Sequence, residues 1–287
     1  MNKAKLGLLS AMCIFGTIGI FVKYIPLSSA AIAFIRGLLG VAFLAVVMLL
    51  FKKKPDWSAV KKNLLLLCLS GTAIGFNWIL LFESYKHTTV ATATVCYYLA
   101  PLFLLLASPL LDEQLTPKKI LCISAALVGI VFVSGITDGP IPSIEELLGV
   151  LMGIGAAILY AGVMFLNKKF SPIDVYDKTI MQLGVSALVL LPYLLLTQGL
   201  SISTLTGVQW GLLIIVGVIH TGLAYTIYFG SLQDLSAETV ALFSYLDPVI
   251  AILLSAFLLG EKMTISGIIG SVLILGSAFY SELPDKK

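Results

Sequence analysis

Charge is scarce in this sequence. Only 11% of its 287 residues are Asp, Glu, Lys or Arg, and only two are histidine. An average soluble chain carries roughly a quarter charged residues, so a water-soluble globular domain is excluded. Four cysteines (Cys13, Cys68, Cys96 and Cys122) all lie inside apolar runs, without Cys-x-x-Cys or Cys/His spacing. They read as small apolar packing residues, not as a disulfide framework or a metal site. The sequence has no glycine-rich phosphate loop, kinase signature, His-Glu-x-x-His, Gly-x-Ser-x-Gly or Asn-x-Ser/Thr. No metal, cofactor or nucleic-acid partner is expected, and the net charge is only +3.

What is abundant is hydrocarbon. Apolar residues make up 59% of the chain, and the mean hydropathy is +1.04. Crossing a bilayer takes about 20 apolar residues. Ten such runs follow one another with short connectors: Leu6–Val22, Ala30–Phe51, Asn63–Phe82, Thr88–Leu111, Ile120–Ile136, Leu147–Leu166, Thr179–Thr197, Trp210–Phe229, Thr239–Leu259 and Thr264–Ser281. Backbone polar groups in lipid must bond within their own segment, so each run is expected to be helical. The expected fold class is an all-α polytopic membrane protein with ten transmembrane helices, its first partner the lipid bilayer.

The chain also resembles itself. With a constant shift of 147, Ser84 falls on Ser231, Thr92 on Thr239, Tyr98 on Tyr245, Leu99 on Leu246 and Pro101 on Pro248. Gly75 likewise falls on Gly222, Trp78 on Tyr225 and Phe82 on Phe229. A period this long divides the chain into halves, residues 1–137 and 138–287. Lys3 and Lys5 ahead of the first run, with Ser28-Ser29-Ala30 after it, imitate a signal peptide. The run has a counterpart in the sixth, however, with Phe15-Gly16 beside Tyr160-Ala161 and Lys23 beside Lys168, so it is expected to be structural.

Lysines set the orientation. If the N-terminus is cytoplasmic, fourteen of the 18 basic residues fall on the inner side, among them Lys52, Lys53, Lys54, Lys118, Lys119, Lys168 and Lys169. Lys23, Lys86 and Lys262 fall outside and Arg36 lies within a run. This positive-inside bias predicts a multi-pass protein of the cell membrane with both termini cytoplasmic. Five crossings per half, an odd number, make the second half inverted relative to the first. Inverted repeats are a construction of secondary transporters, which bind substrate near the midplane at the repeat interface.

The layout resembles the EamA family of the drug/metabolite transporter superfamily. The residues that carry the resemblance are Leu99-Ala100-Pro101 with Glu113, Leu246-Asp247-Pro248 with Gly260-Glu261, Arg36 within Ala33-Phe34-Ile35-Arg36-Gly37, and Phe15-Gly16. Phe15 departs from the tryptophan frequent in that family. The resemblance implies a small-molecule carrier whose central cavity is lined by the first, third, fourth, sixth, eighth and ninth runs. It leaves the solute open among amino acids, other metabolites and quaternary amines.

Ionisable groups in the hydrocarbon cost at least about 2.5–3.5 kcal/mol at mid-span, so they face protein or water. Asp247 lies about 12 Å into its run, counting from Thr239 at about 1.5 Å per residue. Its twin is Ala100, so the scaffold does not require an acid there. Asp247 is expected to line the cavity, with Ser244 on the same face. Its alternatives are an ion pair with Arg36 or a cap on the backbone freed by Pro248. Asn77, Trp78, Tyr97 and Tyr225 complete an expected polar and aromatic wall, since aromatic faces bind cations. Asp247 and His220 are candidates for proton or ion coupling, and Arg36 reads as a structural intramembrane charge. Pro101 and Pro248 are expected hinges. Glu83, Lys86 and His87 read as solvated groups at the outer mouth.

The reading is a carrier of a small polar metabolite, an amino acid, organic cation or related solute, working by alternating access as a monomer or homodimer. An intramembrane enzyme needs a second catalytic partner for Asp247 or His220, and the sequence offers none. A scaffold or channel is the remaining alternative.

Overall fold

The computed structural model of the chain describes residues 3–111, 115–137, 142–197, 205–232, 235, 240 and 243–283. Glu113, Thr239, Lys286, Lys287, residues 198–204 of the loop after Thr197, and the boundary between the expected halves lie outside the described residues.

Among the described residues all regular structure is helical. The order is α1 (Lys3–Lys23), α2 (Ser29–Leu50), α3 (Trp57–Lys62), α4 (Leu64–His87), α5 (Val90–Tyr97), α6 (Ala100–Leu106), a 3₁₀ turn (Ser108–Leu111), α7 (Pro117–Val133), α8 (Ile144–Asn167), α9 (Val175–Thr197), α10 (Gly207–Ile214), a π-helical segment (Ile215–Leu223), α11 (Ala224–Leu232), α12 (Leu246–Leu258) and α13 (Ile265–Glu282). Six helical stretches are long and apolar enough to cross a membrane: α1, α2, α4, α8, α9 and the continuous stretch Gly207–Ser231. Val90–Leu106, Leu246–Leu258 and Ile265–Ser281 are shorter apolar helices.

Helix starts follow local chemistry. The side chains of Ser28, Thr89, Thr116, Ser143, Thr206 and Thr264 each accept a hydrogen bond from a backbone N–H in the first turn that follows. Ser143 with Glu146, and Thr206 with Gln209, form reciprocal capping boxes. Such caps satisfy donors that a helix leaves free.

Four features differ from the sequence expectation. The run Thr88–Leu111 is not one helix: α5 stops at Tyr97 and α6 begins at Ala100. A turn at Tyr245 likewise precedes α12. Pro101 and Pro248 therefore occupy first turns of new helices, where a missing N–H is no loss and the fixed φ is already helical. Second, α3 forms in the lysine-rich loop because Asp56 Oδ1 accepts from the N–H groups of Ser58 and Ala59, both at 3.0 Å. Third, Glu83, Lys86 and His87 belong to the last turn of α4, and Glu83 accepts a 2.5 Å bond from the Ser29 hydroxyl. They are not free loop groups. Fourth, Ile215–Leu223 adopts the wider π form; Thr221 Oγ1 donates to the Val216 carbonyl five residues back, at 3.1 Å.

The long helices pack in matched pairs. α4 lies along α8 and α11 lies along α1; α4 also packs on α9, and the π segment packs on α2. α2 also packs on α9, and α7 packs on α13. Large apolar side chains such as Leu49, Leu121, Leu188, Leu196, Phe257 and Ile265 remain exposed on the outside. This is the arrangement for a surface facing lipid rather than water. Small residues set the tightest approaches. A Cβ on Gly129 would lie 2.9 Å from the Gly270 carbonyl oxygen, and one on Gly270 would lie 2.6 Å from that of Gly129.

Candidate substrate site

Asp247 stands in the first turn of α12. The phenol of Tyr98, in the break between α5 and α6, donates to Asp247 Oδ2 at 2.8 Å and to the Ser244 carbonyl at 3.2 Å. The turn before each proline is thus tied to the other. The rings of Tyr98 and Tyr245, positional twins in the sequence, lie 6.0 Å apart. Gly16 of α1 lets the Asp247 backbone come close, since a Cβ there would lie 2.7 Å from the Asp247 carbonyl oxygen.

Arg36 is not Asp247's partner. The ion pairs among the described residues join Lys23 to Glu261, Lys53 to Asp174, and Lys86 and His87 to Glu83. Arg36 is 5% exposed. Its Nε donates to Thr221 Oγ1 at 2.7 Å, and its guanidinium lies 4.1 Å from the Trp78 ring centroid and 5.7 Å from that of Phe82. Cation–π contact of this kind shelters a charge without neutralising it.

The predicted wall assembles in part. Asn77 is buried and donates to the Ala156 carbonyl at 2.5 Å, locking α4 to α8. Tyr97 points at Asn77 Oδ1, 3.5 Å away, and stacks on Tyr160 with ring centroids 5.2 Å apart. Tyr225 meets Phe15 at 5.6 Å and Phe229 at 5.6 Å. Tyr97, Tyr98, Tyr225 and Asp247 are only half-buried although helices surround them. The Ser244 hydroxyl turns back to the Val240 carbonyl at 2.9 Å, so Ser244 meets the acid's neighbour through its backbone and not through its side chain. Trp78 is buried beneath Arg36.

His220 is enclosed, 1% exposed. Its Nε2 shares a 2.7 Å bond with Thr17 Oγ1, its Nδ1 lies 3.3 Å from the Ile215 carbonyl, and its ring meets Phe21 edge-on at 4.9 Å. Nε2 ties the π segment to α1, while Nδ1 faces a carbonyl of the π segment itself.

Sequence reasoning passed over Tyr98, Tyr160 and Thr221 as site residues. The first had a usable signal: it stands three residues before the repeated proline and is a tyrosine in both copies. A second polar cluster ties α1, α5 and the end of α12 together. Glu261 pairs with Lys23 at the end of α1, accepts the Val90 N–H at 2.8 Å at the start of α5, and receives the Ser255 hydroxyl.

The comparisons with known proteins bear on this arrangement directly. The profile of the EamA-like transporter family matches twice, over residues 2–135 and 147–282. The chain belongs to the EamA-like transporter family. Among its EamA relatives, the uncharacterized transporter YxxF of Bacillus subtilis (strain 168) is 31% identical over 278 residues, covering 95% of this chain and 87% of that protein. An uncharacterized transporter of Archaeoglobus fulgidus is 25% identical over 290 residues, covering 98% and 97%. A solved crystal structure matches with a TM-score of 0.65 at 20% identity, over 97% of this chain and 96% of that one, a likeness of fold. The EamA chain is therefore a multi-pass membrane protein of a transporter family.

Proposed function

We propose that this protein carries a small polar metabolite across the cell membrane by alternating access, through a cavity between two inverted five-helix halves, residues 1–137 and 138–287. Ten crossings put both termini on one side, the cytoplasmic one by the lysine bias, and the unit is a monomer or homodimer with no enzymatic step.

The observation that carries the reading is the seat of Asp247. It is an acid within an apolar bundle, bonded to a phenol from the opposite half and paired with no cation among the described residues. An acid kept in hydrocarbon without a cationic partner is costly, which favours a functional reason for keeping it. The halved design is supported by the double family match, by the contact between Tyr98 and Tyr245, and by the pairing of α4 with α8 and of α11 with α1. Lys23 falls on the outer side by the lysine bias, so in this reading its contact with Glu261 lies at the outer end of α1.

Purified protein in proteoliposomes loaded with a bacterial small-molecule extract tests the function. Mass spectrometry should find a few solutes depleted from protein-containing vesicles and retained in protein-free ones. Equal retention of every solute would reject the carrier.

A further inference from the structure

Tyr245, ahead of α12, meets Phe279, near the end of α13, edge-on with ring centroids 5.7 Å apart. Both residues border a cavity of about 420 Å³ between the two helices. Its size falls within the roughly 300–1,000 Å³ of ligand pockets. Val249 and Leu253 of α12 and Ile268 and Val272 of α13 line it, and all four are exposed on the outside of the bundle. Ser271 borders it too, but its hydroxyl donates to the Gly267 carbonyl at 2.7 Å and is spent within its own helix. Gly276 widens the groove, since a Cβ there would meet no atom within 4 Å.

A groove with this lining suits hydrocarbon. It opens on a face that meets lipid, where an unfilled apolar hollow forfeits contacts that an inserted chain regains. The lining follows one face of α13, because Ile268, Val272, Phe279 and Leu283 succeed one another at spacings of four, seven and four residues. From Ile268 to Phe279 that face runs about 16 Å. A cation stands at its end. Lys118, in the first turn of α7, donates from Nζ to the Leu283 carbonyl and lies over the Tyr280 ring, 5.2 Å from its centroid. Lysines at a membrane surface attract anionic lipid. An apolar trough that leads to an ammonium group matches an amphiphile with a long chain and a negative head.

We infer that the groove between α12 and α13 seats an anionic phospholipid, with one acyl chain along Ile268–Phe279 and the phosphate at Lys118. The seat does not depend on which solute the protein carries. It does back onto the substrate site: Tyr245 lies 6.0 Å from Tyr98, whose phenol is bonded to Asp247. A chain in the groove therefore braces the turn ahead of α12, and the bound lipid stabilises the fold.

The test incubates full-length protein in detergent with anionic dioleoylphosphatidylglycerol or with neutral dioleoylphosphatidylcholine, and counts retained lipid by native mass spectrometry. Wild type should prefer phosphatidylglycerol about fivefold, the effect expected of one lysine near a membrane surface. Lys118→Gln should retain the two lipids equally. Gly276→Phe, whose ring fills the groove, should lose most of its retention of both, while Gly276→Ala should bind as wild type does. Phosphatidylglycerol should raise the melting temperature of wild type and leave that of Gly276→Phe unchanged. Equal retention of the two lipids by wild type, or full retention of phosphatidylglycerol by Gly276→Phe, overturns the seat. So does a disulfide between two copies of Gly276→Cys in a cysteine-free background, which would put a second chain over the groove.

Discussion

The phenol of Tyr98 holds Asp247 Oδ2 at 2.8 Å while its ring lies 6.0 Å from Tyr245, the residue that it matches in sequence after a shift of 147. One side chain thus links the two turns that precede the repeated prolines. Replacing it with phenylalanine keeps the ring contact and removes only the donor. Tyr98→Phe should leave yield and melting temperature nearly unchanged and slow transport about tenfold, since hydrogen bonds to charged groups contribute roughly 1.5–3 kcal/mol. Uptake rates of the two proteins at matched reconstitution check this.

The packing of α7 on α13 depends on two backbones in contact. A Cβ on Gly270 would lie 2.6 Å from the Gly129 carbonyl oxygen and 2.8 Å from the Val133 nitrogen, and backbone cannot move aside as a flexible side chain can. Gly270→Val should destabilise the protein by about 1–3 kcal/mol, the usual range for overpacking, seen as a lower melting temperature in detergent.

Much of the architecture was legible because the lipid phase imposes few solutions. Apolar length marks helices, and Ser or Thr caps mark several of their starts. The prolines marked the interrupted helices, though the breaks fall two to three residues before them, because proline fits a first turn better than a helix interior. Asp247 stood out as an acid in an apolar run. Its partner did not, because Tyr98 comes from 149 residues away in sequence and phenols are common in membrane helices. The π-helical segment left no signal either: its five-back bonds arise from how Thr221 and His220 meet Arg36 and Thr17 in three dimensions.

Orientation makes a separate prediction. The proposed orientation puts residues 52–62 in the cytoplasm and Val208, 75% exposed, outside. In a cysteine-free background, Val208→Cys should react with an impermeant maleimide on intact cells, and Lys54→Cys should react only after permeabilisation. The reverse pattern would invert the topology.

Pro101 and Pro248 begin α6 and α12 at matching places. Alanine at either position restores a backbone donor and allows the helix to run through the break. Pro101→Ala and Pro248→Ala should each change transport rate severalfold while protein abundance in the membrane stays near wild type, measured by uptake alongside immunoblotting.

The central claim is that solute crosses this protein at Asp247. It is tested most directly by flux through purified wild type and Asp247→Asn in proteoliposomes loaded with the same small-molecule extract. The substitution keeps size and shape and lets the Tyr98 bond persist to the amide oxygen, so the variant should reconstitute normally. Wild type should deplete its solutes, and Asp247→Asn should do so at least tenfold more slowly. Equal rates from the two proteins would contradict the account.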